Sequence, residues 1–413
     1  MKTRKTLAIL AAAIISLTAA GCASVNSGES SSSSSKTTAS SSAAISQAAS
    51  TAGSTGSSSS ELFTDRDLEQ TADTEDAKTV TVTDGETIEI TEEGVYILTG
   101  TASNCSVKVN ADKEAKIQLV LDGVSITNDD FPAVYVVSAD KVFITTAEGS
   151  ENTLSVTGEF TADGDTNTDA VIYSKDDIVL NGLGTLNITS AYGNGISGKD
   201  DLKVTGGTYV ISSAKDAIEA NDSIAISDGS FTITTNKDGL HSENDEDNTL
   251  GSITITGGTF TIKAASDGIQ GTSFVQIDGG SFDITASEGI EATYIVINDG
   301  VISISASDDG INAANKSSAY SPTIEINGGE LTIVMGQGDT DAIDANGSIY
   351  VNGGTINITA PTSSFDYDST AEFNGGTIII NGQEVSEIPQ SMMGGGMDGR
   401  GNMGGRGNKN MMW

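Results

Sequence analysis

The stretch KDAIEANDSIAISDGSFTITTNKDGLHSENDED, Lys215 to Asp247, carries the pattern that decides the fold. Asp216-Ala217-Ile218 returns as Asp238-Gly239-Leu240 after 22 residues. Between them lie Ile224-Ala225-Ile226, then Asp228-Gly229, then Phe231-Thr232-Ile233. Short alternating segments are thus separated by Asn, Asp and Gly turns, the signature of strands rather than helices.

Working outward, a polar residue ahead of a small-aliphatic pair recurs at Asp169, Asn194, Asp216, Asp238, Asp267, Glu288, Asp309 and Asp341. The steps are 25, 22, 22, 29, 21, 21 and 32 residues. The insertions SENDEDNTLGS (242–252), NKSSAYSP (315–322) and GQGD (336–339) account for the two longest. A second marker keeps the same beat: Gly206-Gly207, Asp228-Gly229, Gly257-Gly258, Gly279-Gly280, Asp299-Gly300, Gly328-Gly329, Gly353-Gly354 and Gly375-Gly376. Each precedes a strand such as TFTIKA (259–264) or SFDITA (281–286).

Strands this short, at a fixed period and without intervening helices, predict an all-β solenoid. The specific expectation is a single-stranded right-handed parallel β-helix with about 21–22 residues per coil, the hand following the general rule for parallel crossovers. An antiparallel sandwich does not account for the strict period or the Gly-Gly marker. Residues 80–165 have the same texture with a looser period, and read as the N-terminal coils and cap. The expected domain is 78–390.

The ends are different. Lys2, Arg4 and Lys5 precede the apolar LAILAAAIISL, followed by Ala19-Ala20-Gly21-Cys22, which resembles a bacterial lipobox. The expectation is a signal peptide over 1–22, lipid on Cys22, and a chain held at the outside of a bacterial membrane. Residues 23–77 include a Ser-rich run too poor in apolar side chains for a core, and read as a tether. The tail 391–413 holds six of the eight Met among many Gly, and reads as a mobile extension. Cys105 is the only other cysteine, so a disulfide framework is not expected.

The chain of 413 residues has 57 Asp+Glu against 20 Lys+Arg, a formal charge of −37. That field repels nucleic acid and anionic membrane surfaces, leaving the lipid as the membrane link. A monomer is expected. In a β-helix the markers would stack about 4.8 Å apart, forming a row of carboxylates. Three residues on runs a second polar row: Ser197, Glu219, His241, Gln270, Glu291, Asn312 and Asp344. Adjacent carboxylates at that spacing repel by about 1 kcal/mol in water and about 3–4 kcal/mol at a dielectric near 20.

Cations relieve this, and Asp, Glu and Asn oxygens suit Ca²⁺, whereas one His and no available cysteine pair do not suit Zn²⁺. The candidate metal ligands are Asp216, Glu219, Asp238, Asp267, Glu288, Glu291, Asp309, Asp341 and Asp344. Asp163-x-Asp165-x-Asn167-x-Asp169 adds a further candidate calcium loop, although Thr168 and Ser174 break the EF-hand pattern. The bland alternative for any single Asp is a turn hydrogen bond at the start of a strand. Candidate ligand-binding residues are Glu219, His241, Gln270, Glu291 and Asn312 of the second row, with Lys215 and Lys237 beside it.

The segments ITEEGVYILTGTASNCSVKV, IQLVLDGVSITN, AVYVVSADKVFITTAEGSENTLS and AVIYSKDDIVLNGLGTLNITS resemble bacterial carbohydrate-binding proteins of the clostridial cellulose- and pectin-binding type. The resemblance covers about residues 78–385. It implies a pectate-lyase-like β-helix, calcium on the solenoid, and binding of acidic plant polysaccharide such as polygalacturonate, or of cellulose. A lyase on this fold needs an Arg or Lys base, and the four Arg are Arg4, Arg66, Arg400 and Arg406, none in the coils. Lys199, Lys215 and Lys237 are the remaining candidates, and they read as ion-paired turn residues. Asp308-Asp309-Gly310 resembles the acid pair of β-helix polygalacturonases, but that family's companion motifs are missing. The sequence therefore reads as a non-catalytic binder, with a uronate lyase as runner-up and a structural adhesin as third reading.

Overall fold

The computed structural model describes residues 62–389, apart from 339. The expected signal peptide, Cys22, the tether up to residue 61 and the tail 391–413 lie outside the described residues. Every element from Lys78 to Val385 is a β-strand. The strands stack in parallel into one 24-stranded and one 12-stranded sheet, giving an all-β, solenoid-like architecture.

Each coil contributes three strands to three rows. In one coil these are Asp267–Gly271, Phe274–Ile277 and Ser281–Ala286. The next coil repeats them as Glu288–Ala292, Tyr294–Ile297 and Val301–Ala306, in register throughout. We call these the first, second and third rows. Side chains alternate across each strand, so one set of aliphatics fills the interior: Ile269 over Ile290, Val275 over Ile295, Ile284 over Ile304, all fully buried. Tyr209, Phe231, Phe260 and Phe282 stack inside the third row, with centroids 5.2, 4.6 and 4.6 Å apart. Each fully buried side chain of this size contributes about 1.5–3 kcal/mol.

Both markers have a steric cause. The small residue after the acidic marker packs on a neighbouring backbone: a Cβ on Gly289 would lie 2.3 Å from the Gly310 carbonyl oxygen. The second glycine of the other marker turns the chain into the third row at positive φ, from 81° at Gly354 to 137° at Gly229, where other residues are strained. Ahead of it, on the same turns, the Asn298, Asn327, Asn352 and Asn374 amides form a ladder with bonds of 2.8–2.9 Å.

The ends of the stack are blunted. At the C-terminal end Thr377–Ile380 turns back through Asn381 and Gly382 and pairs antiparallel with Gln383–Val385, covering an open edge. Residues 62–70, inside the stretch expected as tether, lie against the second row instead. There Asp67 is fully buried, with Lys141 and Lys203 at 3.6 and 3.4 Å. Gln70 donates to the Thr205 carbonyl at 3.0 Å, and Arg66 covers the Phe143 ring. Composition alone points to a tether here because it does not register that Phe63 and Asp67 are buried against the coils. Cys105 is fully buried and unpaired, and burial pushes its thiol up.

Candidate functional site

The first row carries the acidic residues. Backbone register aligns Asn194, Asp216, Asp238, Asp267, Glu288, Asp309 and Asp341 as successive equivalents, with Ser363 next. Asp169 stands one residue out of this row, because Ala170 is the partner of Asn194. Burial of Ile172 beneath Ile196 sets that register, and a one-residue slip would turn the strand inside out.

Much of the marker row is a hydrogen-bond ladder. The backbone N–H of Asp216 donates to Asn194 Oδ1 (3.0 Å), that of Asp238 to Asp216 Oδ1 (3.1 Å), and that of Asp267 to Asp238 Oδ1 (2.9 Å). Asp341 donates likewise to Asp309 Oδ1 at 3.1 Å. The bonding anticipated within a single turn is therefore made between coils, and it occupies one oxygen of each acceptor. This gives the first answer to why the carboxylate recurs: it clips each coil to the next.

The outer column of the first row runs Glu89, Lys108, Tyr135, Tyr173, Ser197, Glu219, His241, Gln270, Glu291, Asn312, Asp344 and Asp366. Its polar part matches the sequence reading. Ser197, His241 and Glu291 are nevertheless buried, His241 among Asp216, Asp238 and Glu243, and Glu291 beside Lys316 and Gln270.

The column divides into two chemistries. Around Asp216 the acids have cationic partners: Lys237 Nζ and His241 Nδ1 lie 2.9 and 3.3 Å from Asp216 Oδ2. Asp238 Oδ2 is 3.7 Å from Lys237 and 3.8 Å from His241. Burial works against ionising Asp216, but His241 and Lys237 outweigh it and hold the carboxyl at about 2. Burial would also lower His241, yet Asp216 raises it overall, whereas burial and the Asp216 charge push Asp238 up. Glu219 is taken by Asn194 Nδ2 at 2.6 Å and Lys199 at 3.5 Å. Asp216 and Glu219, expected as a metal pair, are thus matched by this chain's own donors.

Farther along, the acids face one another. Asp267, Glu288 and Glu291 bring carboxylate oxygens within 4.8 Å. Burial, then the charges of Asp238 and Glu288, push Asp267 up to about 8. Burial and Glu291 push Glu288 to about 7. The crowding continues: burial and Asp344 raise Asp309 to about 7, and burial and Asp341 raise Asp344 to about 6. Lys316 pairs with Glu291, Gln270 donates to Glu291 at 2.7 Å, and Asn312 Nδ2 donates to Glu288 at 3.0 Å. Asn312 Oδ1 is buried without a hydrogen-bond partner. A hard cation suits these oxygens: it would neutralise crowded carboxylates and give that amide oxygen a partner. The residues present therefore fit calcium in this half of the row better than around Asp216.

The Asp163–Asp169 motif is not gathered into one ligand set. Asp163 Oδ2 accepts from the Tyr135 hydroxyl at 3.1 Å, holding the loop over Tyr135. Asp169 Oδ2 takes Lys215 and the Asn167 amide, both at 3.1 Å. A second acidic group escaped the sequence reading: Asp177, Asp200 and Asp201, at the turn from first to second row. Burial and the neighbouring Asp177 push Asp200 to about 6. Its signal was present in KDDIV and KDDLKV, where Asp-Asp precedes aligned second-row strands. Cavities of about 270 Å³ beside Asn104 and Asp130, and 350 Å³ beside Gln70 and Gly206, do not border the acidic row. The row is a linear edge of the solenoid in which Asp216, Asp238, Asp267 and Glu291 are buried and Glu219, Glu288, Asp309, Asp341 and Asp344 are partly exposed.

A family model described as carbohydrate-binding domain-containing protein matches residues 84–342 and 294–404, over half of the chain. The chain belongs to that family. It is 39% identical over 128 residues to a carbohydrate-binding domain-containing protein of Acetivibrio thermocellus, a match spanning 30% of this chain and 45% of that protein. It also resembles a solved polysaccharide lyase-like protein from C. thermocellum, studied as a gadolinium derivative. That structure has 32% identity and a TM-score of 0.50, and the match covers 55% of this chain and 96% of the other.

Proposed function

We propose that this chain is a non-catalytic module that binds acidic polysaccharide, with calcium held on the edge of a single-stranded right-handed β-helix. The observation that carries this reading is the crowded, under-neutralised half of the first row. Asp267, Glu288, Asp309 and Asp344 are all raised toward or beyond neutrality beside the orphaned Asn312 Oδ1. Asp267 and Glu288, with Asn312 beside them, would hold the cation, with Asp309 and Asp344 extending the row; Glu291 is shared with Lys316 and Gln270. Calcium supplies positive charge to which a uronate carboxylate can add its own oxygens. The protein's residues orient the chain: the row is linear, so successive sugar units can lie along successive coils.

The lyase reading has less support. Lys237, Lys215 and Lys199 are paired with Asp216, Asp169 and Glu219. Burial would lower Lys237, but its Asp216 partner raises it overall, the wrong direction for a base. Lipid attachment at Cys22 and display outside the membrane remain part of the proposal, supported by the lipobox-like sequence.

The test is retention of the chain on polygalacturonate with Ca²⁺ or with EDTA, followed together with absorbance of unsaturated product. Calcium-dependent retention without product is the expected result. Product formation, or retention indifferent to EDTA, refutes it.

A further inference from the structure

We propose that Phe274, Tyr294 and Tyr320 form a second saccharide subsite, on the second row, that takes a neutral pyranose chain. The proposal rests on the carbohydrate-binding reading but not on calcium or the acidic edge.

Phe274 and Tyr294 are register partners on adjacent coils; both are half-buried and lie on the opposite face of their strands from the buried Val275 and Ile295. The equivalent positions before and after are Ser223, Ser252, Thr323 and Ser348. Small hydroxyl residues therefore satisfy the fold at this position, and the two rings are additions to it. The third ring arrives from the insertion 315–322. Tyr320 lies 5.5 Å from Tyr294 and 5.8 Å from Phe274, while Phe274 and Tyr294 are 5.6 Å apart. The rings are mutually tilted rather than stacked face to face, and Tyr320 keeps 36% of its surface exposed.

The insertion does not need these rings to hold it. Its backbone N–H groups at Lys316 and Ser317 donate to Thr293 Oγ1 at 3.1 and 2.8 Å. Ser318 Oγ donates to Asn248 Oδ1 of the other insertion at 2.9 Å, and Lys316 pairs with Glu291. Two insertions at the same point of the coil thus meet across the intervening coils and present an aromatic corner.

The chemistry at that corner selects its ligand. Tyr294 donates its hydroxyl to Glu325 Oε1 at 2.6 Å, which fixes the ring and puts a carboxylate at its edge. Beyond Phe274 on the same strand, Gln276 is bonded to Asp278. Lys316 is committed to Glu291. An anionic polymer meets like charge here, whereas a neutral pyranose can lay its C–H face on a ring and donate its hydroxyls to Glu325.

The experiment is affinity electrophoresis of the full chain in EDTA through soluble neutral β-glucan, mannan and xylan, with polygalacturonate plus Ca²⁺ as a separate arm. At least one neutral glycan should retard the chain. Tyr320→Ala and Phe274→Ala should each weaken that retardation about tenfold, and Tyr320→Phe should preserve it. None should alter calcium-dependent retention on polygalacturonate. Absence of neutral-glycan retardation, or Ala variants that bind as the parent does, overturns the subsite. Loss of the polygalacturonate arm alone instead refutes the acidic-edge reading. Where an Ala variant melts early, saturation-transfer NMR on the parent decides: ring-to-sugar transfer supports the subsite, and its absence refutes it.

Discussion

Replacing Asp267 by Asn tests the physics of the acidic edge directly. The side chain is 5% exposed and its carboxyl is raised to about 8, against 3.8 for an ordinary Asp. In the folded chain without metal the proton is bound more tightly than in the unfolded chain. This contribution to stability is therefore complete below pH 3.8, is eroded as pH rises, and is fully lost above pH 8. At pH 7 the loss approaches 1.36 kcal/mol for each of about three pH units, an upper value near 4 kcal/mol shared with Glu288 and Asp238. Asp267→Asn keeps the shape and removes the charge, so it should stabilise the metal-free chain by about 2–4 kcal/mol. On the scale for domains of this size that is a rise in Tm of about 5 °C. Calorimetry at pH 7 in EDTA and in millimolar Ca²⁺ reads both sides. The parent should gain stability from Ca²⁺, and the variant should gain much less. A variant that melts lower in EDTA than the parent would mean that the carboxylate serves as an internal acceptor, and the repulsion argument would be wrong.

Further outcomes follow from the same structure. Gly289→Ala places a methyl 2.3 Å from a carbonyl oxygen and should lower stability by about 1–3 kcal/mol. Gly198→Ala, whose nearest neighbours are 3.8 Å away, should be almost neutral in the same denaturation assay. His241 is the only histidine, so its NMR titration is unambiguous: the midpoint should lie above 6.5. Its stabilising interaction with Asp216 is complete below pH 6.5 and lost as pH rises through the folded value, so His241→Gln should flatten the stability profile above pH 6.5. Asp67→Ala removes the buried partner of Lys141 and Lys203. Trypsin should then cleave after Arg66 at least tenfold faster, with little change in the melting of the coils.

The sequence alone determined the solenoid. A β-strand has a two-residue period and a coil repeats its backbone, so identical demands recur at identical spacing. Aliphatics at Ile218, Leu240 and Ile269 had to be buried, the residue ahead of each had to be small, and Gly229 or Gly258 had to turn at positive φ. Local chemistry of this kind is written in the order of residues. The polar column from Ser197 to Asp344 was legible for the same reason. Partners were not, because they depend on which long side chain reaches which neighbour across coils. Asp216 and Asp267 look alike in sequence, yet Lys237 and His241 neutralise the first, while Glu288 and Glu291 crowd the second. Asp169 kept the beat in sequence but fell one residue out of register, because burying Ile172 outweighed aligning a surface acid. The corner of Phe274, Tyr294 and Tyr320 depends on an insertion folding back across two coils. Periodicity carries no information about where an insertion lands, and only the packed chain could bring those rings together.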